Sequence, residues 1–197
     1  MKSVFIEKSL GVDIREESVS LTLVGKKLRT MEVLAGKTIA LKPLTGKDEK
    51  AEKYFLNKVN RFLIDQDTWP ESVVVSLPRS YVTFKTFELP APDLESVRSM
   101  VEFELERQFS AGLEDLYFTF QITPKAENIF HVASAAIKKE IANYYLELVQ
   151  KLNLKTTILD VSTFANVNLA FSQEIESDSP IWALADISPE TLDIALI

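Results

Sequence analysis

Residues 10 to 23 read LGVDIREESVSLTL, two runs of alternating apolar and polar residues joined by Arg15-Glu16-Glu17. The alternation is that of a β-hairpin with one buried face. Its turn is unusual. A tight turn whose amides are to face an anion is built with glycine, because a side chain there takes the space of the ligand. Here an arginine and two glutamates stand in that place.

Working outward, residues 3 to 35 keep the period of two, with a glycine turn expected at Gly25, and read as three antiparallel strands or as a hairpin with an edge strand. GKDEKAEKYFLNKVNRFLIDQ (46–66) sets Tyr54 or Phe55, Val59, Phe62 and Leu63 at helical spacing. Ser72 to Leu77 is a continuous apolar run of the buried-strand type, and Tyr81 to Leu89 alternates. Asp93 is placed to cap a helix in which Val97, Met100, Val101, Phe103 or Glu104, Leu105 and Phe109 recur. Two more strands, 116–123 and 129–136, flank a polar PKAEN turn. A helix (138–151), the strand LKTTILDV, a helix (162–171) and the polar linker SQEIESDS lead to a last hairpin, 181–187 with 191–197. The order implies an α/β fold of mixed α+β type. The final hairpin looks only begun, so the chain is expected to be a piece of a longer protein that stops inside a second lobe.

Composition narrows the function classes. The chain has 197 residues, 46% of them hydrophobic, enough for a sizeable core. A net charge of −7 opposes a nucleic-acid binder, which needs a basic face. The absence of cysteine excludes disulfides, zinc-thiolate sites and a cysteine nucleophile. The amino terminus carries Glu7 and Lys8 where a signal peptide would be apolar, and no apolar run reaches eighteen residues, so membrane insertion by this segment is not expected.

Four blocks, LGVDIREESVSLTLV (10–24), VVVSLPRSYVTFKTFELPAPDLESVRSMVEFELERQFSAGLEDLYFTFQI (73–122), HVASAAIKKEIANYYLELVQKLNLKTTILDVSTFANVNLA (131–170) and ALADISPETLDIALI (183–197), resemble the type IV pilus assembly protein PilM and the cytoplasmic actin-like domain of the type II secretion protein GspL. The resemblance implies an actin-like, ribonuclease-H-like fold with an inserted small α+β subdomain. It divides the chain into 1–76 (first part of lobe 1), 77–136 (insert), 137–172 (return to lobe 1) and 173–197 (linker and start of lobe 2).

In nucleotide-binding members the first hairpin resembles GIDIGSSSVK. Gly11 and Asp13 match that pattern, whereas Arg15 replaces its glycine and Ser20 its lysine, and Ser18 stands among its hydroxyls. In the last hairpin Asp186 and Thr191 match a second loop, but Ser188-Pro189 replaces its glycine-led turn, and proline removes an amide donor. Asp13, Arg15, Ser18, Asp186, Ser188 and Thr191 are therefore expected to form degenerate nucleotide loops, with no catalytic residue and no metal site. ATP and magnesium remain ligands that a longer chain could take. Arg15 could still grip a phosphate through its guanidinium fork, or simply face Glu16, Glu17 or solvent.

The other candidates read mostly as structure. His131 has no partner for a metal. Glu102, Glu104 and Glu106 with Arg98 and Arg107 suit a solvated helix face better than acid/base chemistry. Met100, Phe103, Arg107 and Phe109 are the candidate partner-binding set, because that helix carries more large apolar side chains than one face needs. The resemblance implies a non-catalytic scaffold, cytoplasmic and peripheral to the inner membrane, that takes a PilN-like membrane-protein peptide or a GspE-like secretion ATPase, homodimerisation being left open. The alternative is an active actin-like ATPase or nucleotide switch, and a sugar or acetate kinase on the same fold is a more distant one.

Overall fold

The structure, a computed structural model, describes residues 7–44, 48–109, 112–172, 182–189 and 191–196. Chain contacts divide it into two compact units, one of Met1–Arg79 with Tyr145–Ile197 and the other of Ser80–Tyr144.

The first unit is built on a five-stranded sheet. Strands β1 (Glu7–Ile14), β2 (Ser18–Lys26) and β3 (Met31–Ala40) form an antiparallel meander. β4 (Ser72–Leu77) joins β1 in parallel, and the strand from Thr156 to Val161 joins β4 in parallel. Alternation decides which face is buried. Leu10, Val12 and Ile14, Val19, Leu21 and Leu23, and Val73, Val75 and Leu77 are all at most 1% exposed. Gly11 and Asp13 fall on the opposite face. Helix α1 (Glu49–Asp65) buries Phe55, Val59, Phe62 and Leu63, while Tyr54 is exposed, so the helical stripe runs through Phe55. Asp48 caps it by accepting from the amides of Lys50 and Ala51. Gly25 is not the second turn. It lies within β2, and the chain reverses over Lys27 to Thr30, where the Lys27 amide donates to the Thr30 carbonyl at 2.8 Å. Lysine and threonine complete that turn because the closing bond needs no residue of positive φ.

The second unit is a three-stranded antiparallel sheet with one helix. β5 (Val82–Pro90), β6 (Leu116–Ala126) and β7 (Ile129–Lys138) are arranged with β7 in the centre. α2 (Leu94–Gln108) buries Val97, Val101 and Leu105 with Leu89, Leu116, Val132 and Ala136. PKAEN is less of a turn than expected. The β6 strand continues to Ala126 with a register shift at Pro124, which an edge strand tolerates, and Asn128 alone takes φ of 57° at the tip. The contact boundaries, Ser80 and Tyr144, lie later in the chain than the 77–136 insert that the resemblance implied.

Helix α3 (Lys139–Gln150) carries the chain back to the first unit, where Tyr145 is buried and its hydroxyl donates to the Leu44 carbonyl at 2.9 Å. β8 (Thr156–Val161) and α4 (Ser162–Ser172) follow. Most of the expected linker, from residue 173 on, lies outside the described residues. β9 (Ala183–Ile187) and β10 (Leu192–Leu196) then pair as an antiparallel hairpin. Ile187, Leu192, Ile194 and Leu196 form its exposed face, and Asp186 lies opposite Asp193 on the other.

Asp93 caps α2 by accepting from the Ser96 amide at 2.7 Å, and that hydrogen bond holds its carboxyl below the usual carboxylate range. Because the folded form binds its proton less tightly, the cap stabilises above the unfolded pKa of about 3.9 and is lost as pH falls through the depressed value. Thermal denaturation of the parent and of Asp93→Asn should therefore differ at neutral pH and converge in strong acid. A gap that is constant with pH would show that the charge at the cap is irrelevant.

Candidate functional site

Strand alternation brings the site together at the end of β1. Residues 11, 13 and 15 share the face opposite the buried Leu10, Val12 and Ile14, so the side chain of Arg15 lies beside that of Asp13. Arg15 Nε donates to Asp13 Oδ2 at 2.7 Å, and Arg15 Nη1 donates to Asp186 Oδ2, also at 2.7 Å. Asn166, on α4, donates to the same Asp186 oxygen at 2.8 Å. One guanidinium thus ties the first hairpin to the last.

Burial disfavours the charge on Arg15, but the hydrogen bonds and charges of Asp13 and Asp186 outweigh it and hold the guanidinium above its ordinary range. The three side chains are only 19–31% exposed, so solvent screens this group less than a surface pair. The alternatives open at the sequence level, Arg15 free to grip a phosphate or facing Glu16, Glu17 or solvent, both give way to this bridge. Asn166 carried no sequence signal, since it belongs to no motif and reaches the site only through the placement of α4.

Both turns make internal hydrogen bonds. The Arg15 amide donates to the Ser18 carbonyl at 2.8 Å. In the last hairpin the Ser188 amide donates to the Thr191 carbonyl, the Thr191 amide donates to Ser188 Oγ, and the two hydroxyls lie 2.8 Å apart. With Pro189, which has no amide donor, between them, the turn binds itself through Ser188 and Thr191. A Cβ at Gly11 would meet Thr22 at ordinary contact distance, so packing does not demand that glycine. In register, Asp13, Ser76 and Asp160 lie side by side across β1, β4 and β8. Asp13 Oδ1 and Ser76 Oγ are buried without a protein hydrogen-bond partner, and no motif had drawn Asp160 into the site. A cleft of about 340 Å³ beside Asn166 and Asp186 is lined by Leu169, Ala170 and Ile187.

The partner-binding set does not stay together. Phe103 is 74% exposed and Met100 39%, while Arg107 pairs with Glu104 at 2.9 Å. Phe109 is 9% exposed and belongs to the core of the second unit. The helix ends at Gln108, so the backbone at Phe109 is extended and turns its ring inward rather than along the helix face. Phe109 is thereby withdrawn as a surface anchor. It does line a cavity of about 510 Å³ with Lys85, Gln108 and Lys138. His131 lies in register with Glu88 and Thr123 on the second unit's sheet, and no group of three metal-ligating side chains occurs among the described residues.

The sequence matches no protein-family profile and no curated protein. Solved structures do match in three dimensions. A chain of the PilM–PilN type IV pilus biogenesis complex aligns over 96% of this chain with a TM-score of 0.79 at 21% identity. The cytoplasmic domain of EpsL, an inner-membrane component of the type II secretion system of Vibrio cholerae, aligns over 96% with a TM-score of 0.62 at 13% identity. A protein of actin-like ATPase fold and unknown function from Bacteroides thetaiotaomicron gives 0.50 at 12% identity over 97%. The chain has the actin-like fold. It spans 57% of the matched PilM–PilN complex chain and 71% of the EpsL domain.

Two experiments check this geometry. Arg15→Ala should cost about 1–3 kcal/mol in denaturant unfolding, since it leaves two carboxylates facing each other, and Arg15→Lys should recover only part because an ammonium lacks the planar fork. Coupling between Arg15→Ala and Asp186→Ala near zero in a double-mutant cycle would refute the bridge. Phe109→Ala should lose about 3 kcal/mol, whereas Phe103→Ser should stay within about 0.5 kcal/mol of the parent; equal losses would put both rings in the core.

Proposed function

We propose that the chain belongs to a non-catalytic scaffold of the PilM and GspL kind, joining membrane proteins of a pilus or secretion platform to its assembly ATPase. The fold likeness supports the class. The observation that carries the non-catalytic reading is the Arg15 bridge between Asp13 and Asp186. In a nucleotide-binding member those carboxylates would serve a metal ion and its waters. Here they are both committed to one internal cation, and a triphosphate would have to enter beside Glu16 and Glu17 without a glycine turn to approach. The residues therefore suit a permanently joined pair of hairpins better than a site that opens and closes around ATP.

By the same reading the partner is a peptide of a PilN-like membrane protein or a GspE-like ATPase. The uncovered Phe103 and Met100 on α2 are the side chains that offer apolar contact there. Among the described residues no helix is long and apolar enough to cross a membrane.

Magnesium-ATP titrated calorimetrically into the full-length protein should give no binding heat at micromolar concentration. The Arg15→Gly, Ser188→Gly variant, folded by circular dichroism, serves as the comparison. Micromolar binding by the parent would overturn the scaffold reading in favour of an active ATPase or nucleotide switch.

A further inference from the structure

The β2–β3 hairpin carries a second feature at the end of β2 away from Arg15. Its register pairs Val24 with Val33 and Lys26 with Met31. Alternation along β2 puts Val24 and Lys26 on the face opposite the buried Val19, Leu21 and Leu23, and their partners on β3 lie beside them. Leu28 stands at the turn. It is 89% exposed, with Met31 at 76% and Val33 at 71%. Lys26 and Arg29 are exposed around these three, and Lys27 pairs with Glu32. The tip is therefore apolar at its point and cationic at its collar, in a chain of net charge −7.

We propose that this tip is a membrane-contact element, whose Leu28, Met31 and Val33 enter the headgroup region of an anionic bilayer while Lys26 and Arg29 meet its phosphates. Apolar side chains flanked by lysine and arginine complement the interface of such a bilayer, where the apolar part is buried and each cation gains from the surface potential. The acidity of the rest of the chain does not cancel this. Glu32 is matched by Lys27 and Glu7 stands across from Lys26, which leaves the tip net positive through Arg29, while Glu16 and Glu17 lie at the other end of β2, whose nine residues span about 30 Å at roughly 3.3 Å each, well beyond a screening length of about 8 Å in physiological salt. A second copy of the chain fits less well, because two such tips would bring like charges together. A protein groove fits less well too, since the tip holds no aromatic anchor. The contact is shallow and interfacial, and it is independent of whether the Arg15 site binds nucleotide.

The test is co-sedimentation of the full-length protein with vesicles of phosphatidylcholine alone or mixed with phosphatidylglycerol, at low and high salt. Binding should appear with the mixed vesicles and weaken with salt. It should fall about tenfold in Leu28→Ser, Met31→Ser and again in Lys26→Glu, Arg29→Glu. All four positions are exposed, so melting temperatures should match the parent's. No binding to the mixed vesicles, or binding that both variants retain, would overturn the proposal. So would lipid-free self-association of the parent that the apolar variant abolishes, which would assign the tip to a second copy.

Discussion

The arrangement of the first unit depends on a guanidinium between two carboxylates. Asp13 and Asp186 stand near opposite ends of the sequence, yet each accepts a hydrogen bond from Arg15 at 2.7 Å. Without that cation the two hairpins would present two partly buried like charges that repel each other. Asp193, directly across from Asp186 in β9–β10, adds a third negative charge to the same neighbourhood. Arg15 and Asn166 both donate to Asp186 Oδ2 and so hold its carboxylate in place.

An internal arginine and a bound metal would meet the same electrostatic demand in different ways. A metal held by solvent and phosphate comes and goes, so the hairpins it links can part when it leaves. An arginine fixed to the backbone two residues from Asp13 cannot leave, and its planar fork sets the direction of both hydrogen bonds. The inward hydrogen bonds of Ser188 and Thr191 follow the same logic, because the amides of a turn need partners of their own.

The sequence made the fold legible wherever one residue's position in a period fixed its burial. The run from Ser72 to Leu77 is β4 to the residue, and Asp93 caps α2 as its type and position require. The reading failed where local chemistry has more than one solution. Gly25 looked like a turn because glycine often is one, yet a four-residue turn over Lys27–Thr30 satisfies the chain without it. Phe109 looked like helix surface because the helix was carried one residue too far. The site was legible residue by residue, with Asp13, Arg15 and Asp186 all marked. Their union was not, because the ion pair to Asp186 joins residues at opposite ends of the chain and no period encodes it.

The same distinction bears on what the fold retains. The buried side of β1, Leu10, Val12 and Ile14, is required by the core whatever the opposite face does, so the hairpin persists under packing alone. The opposite face is free to change provided its charges balance. Arginine at residue 15 meets that condition, since one guanidinium hydrogen-bonds both carboxylates. A glycine at residue 15 would open the space but leave Asp13 and Asp186 without a counter-charge. Any anion admitted there would have to bring a cation with it and compete with the hydrogen bonds that Ser188 and Thr191 make to each other.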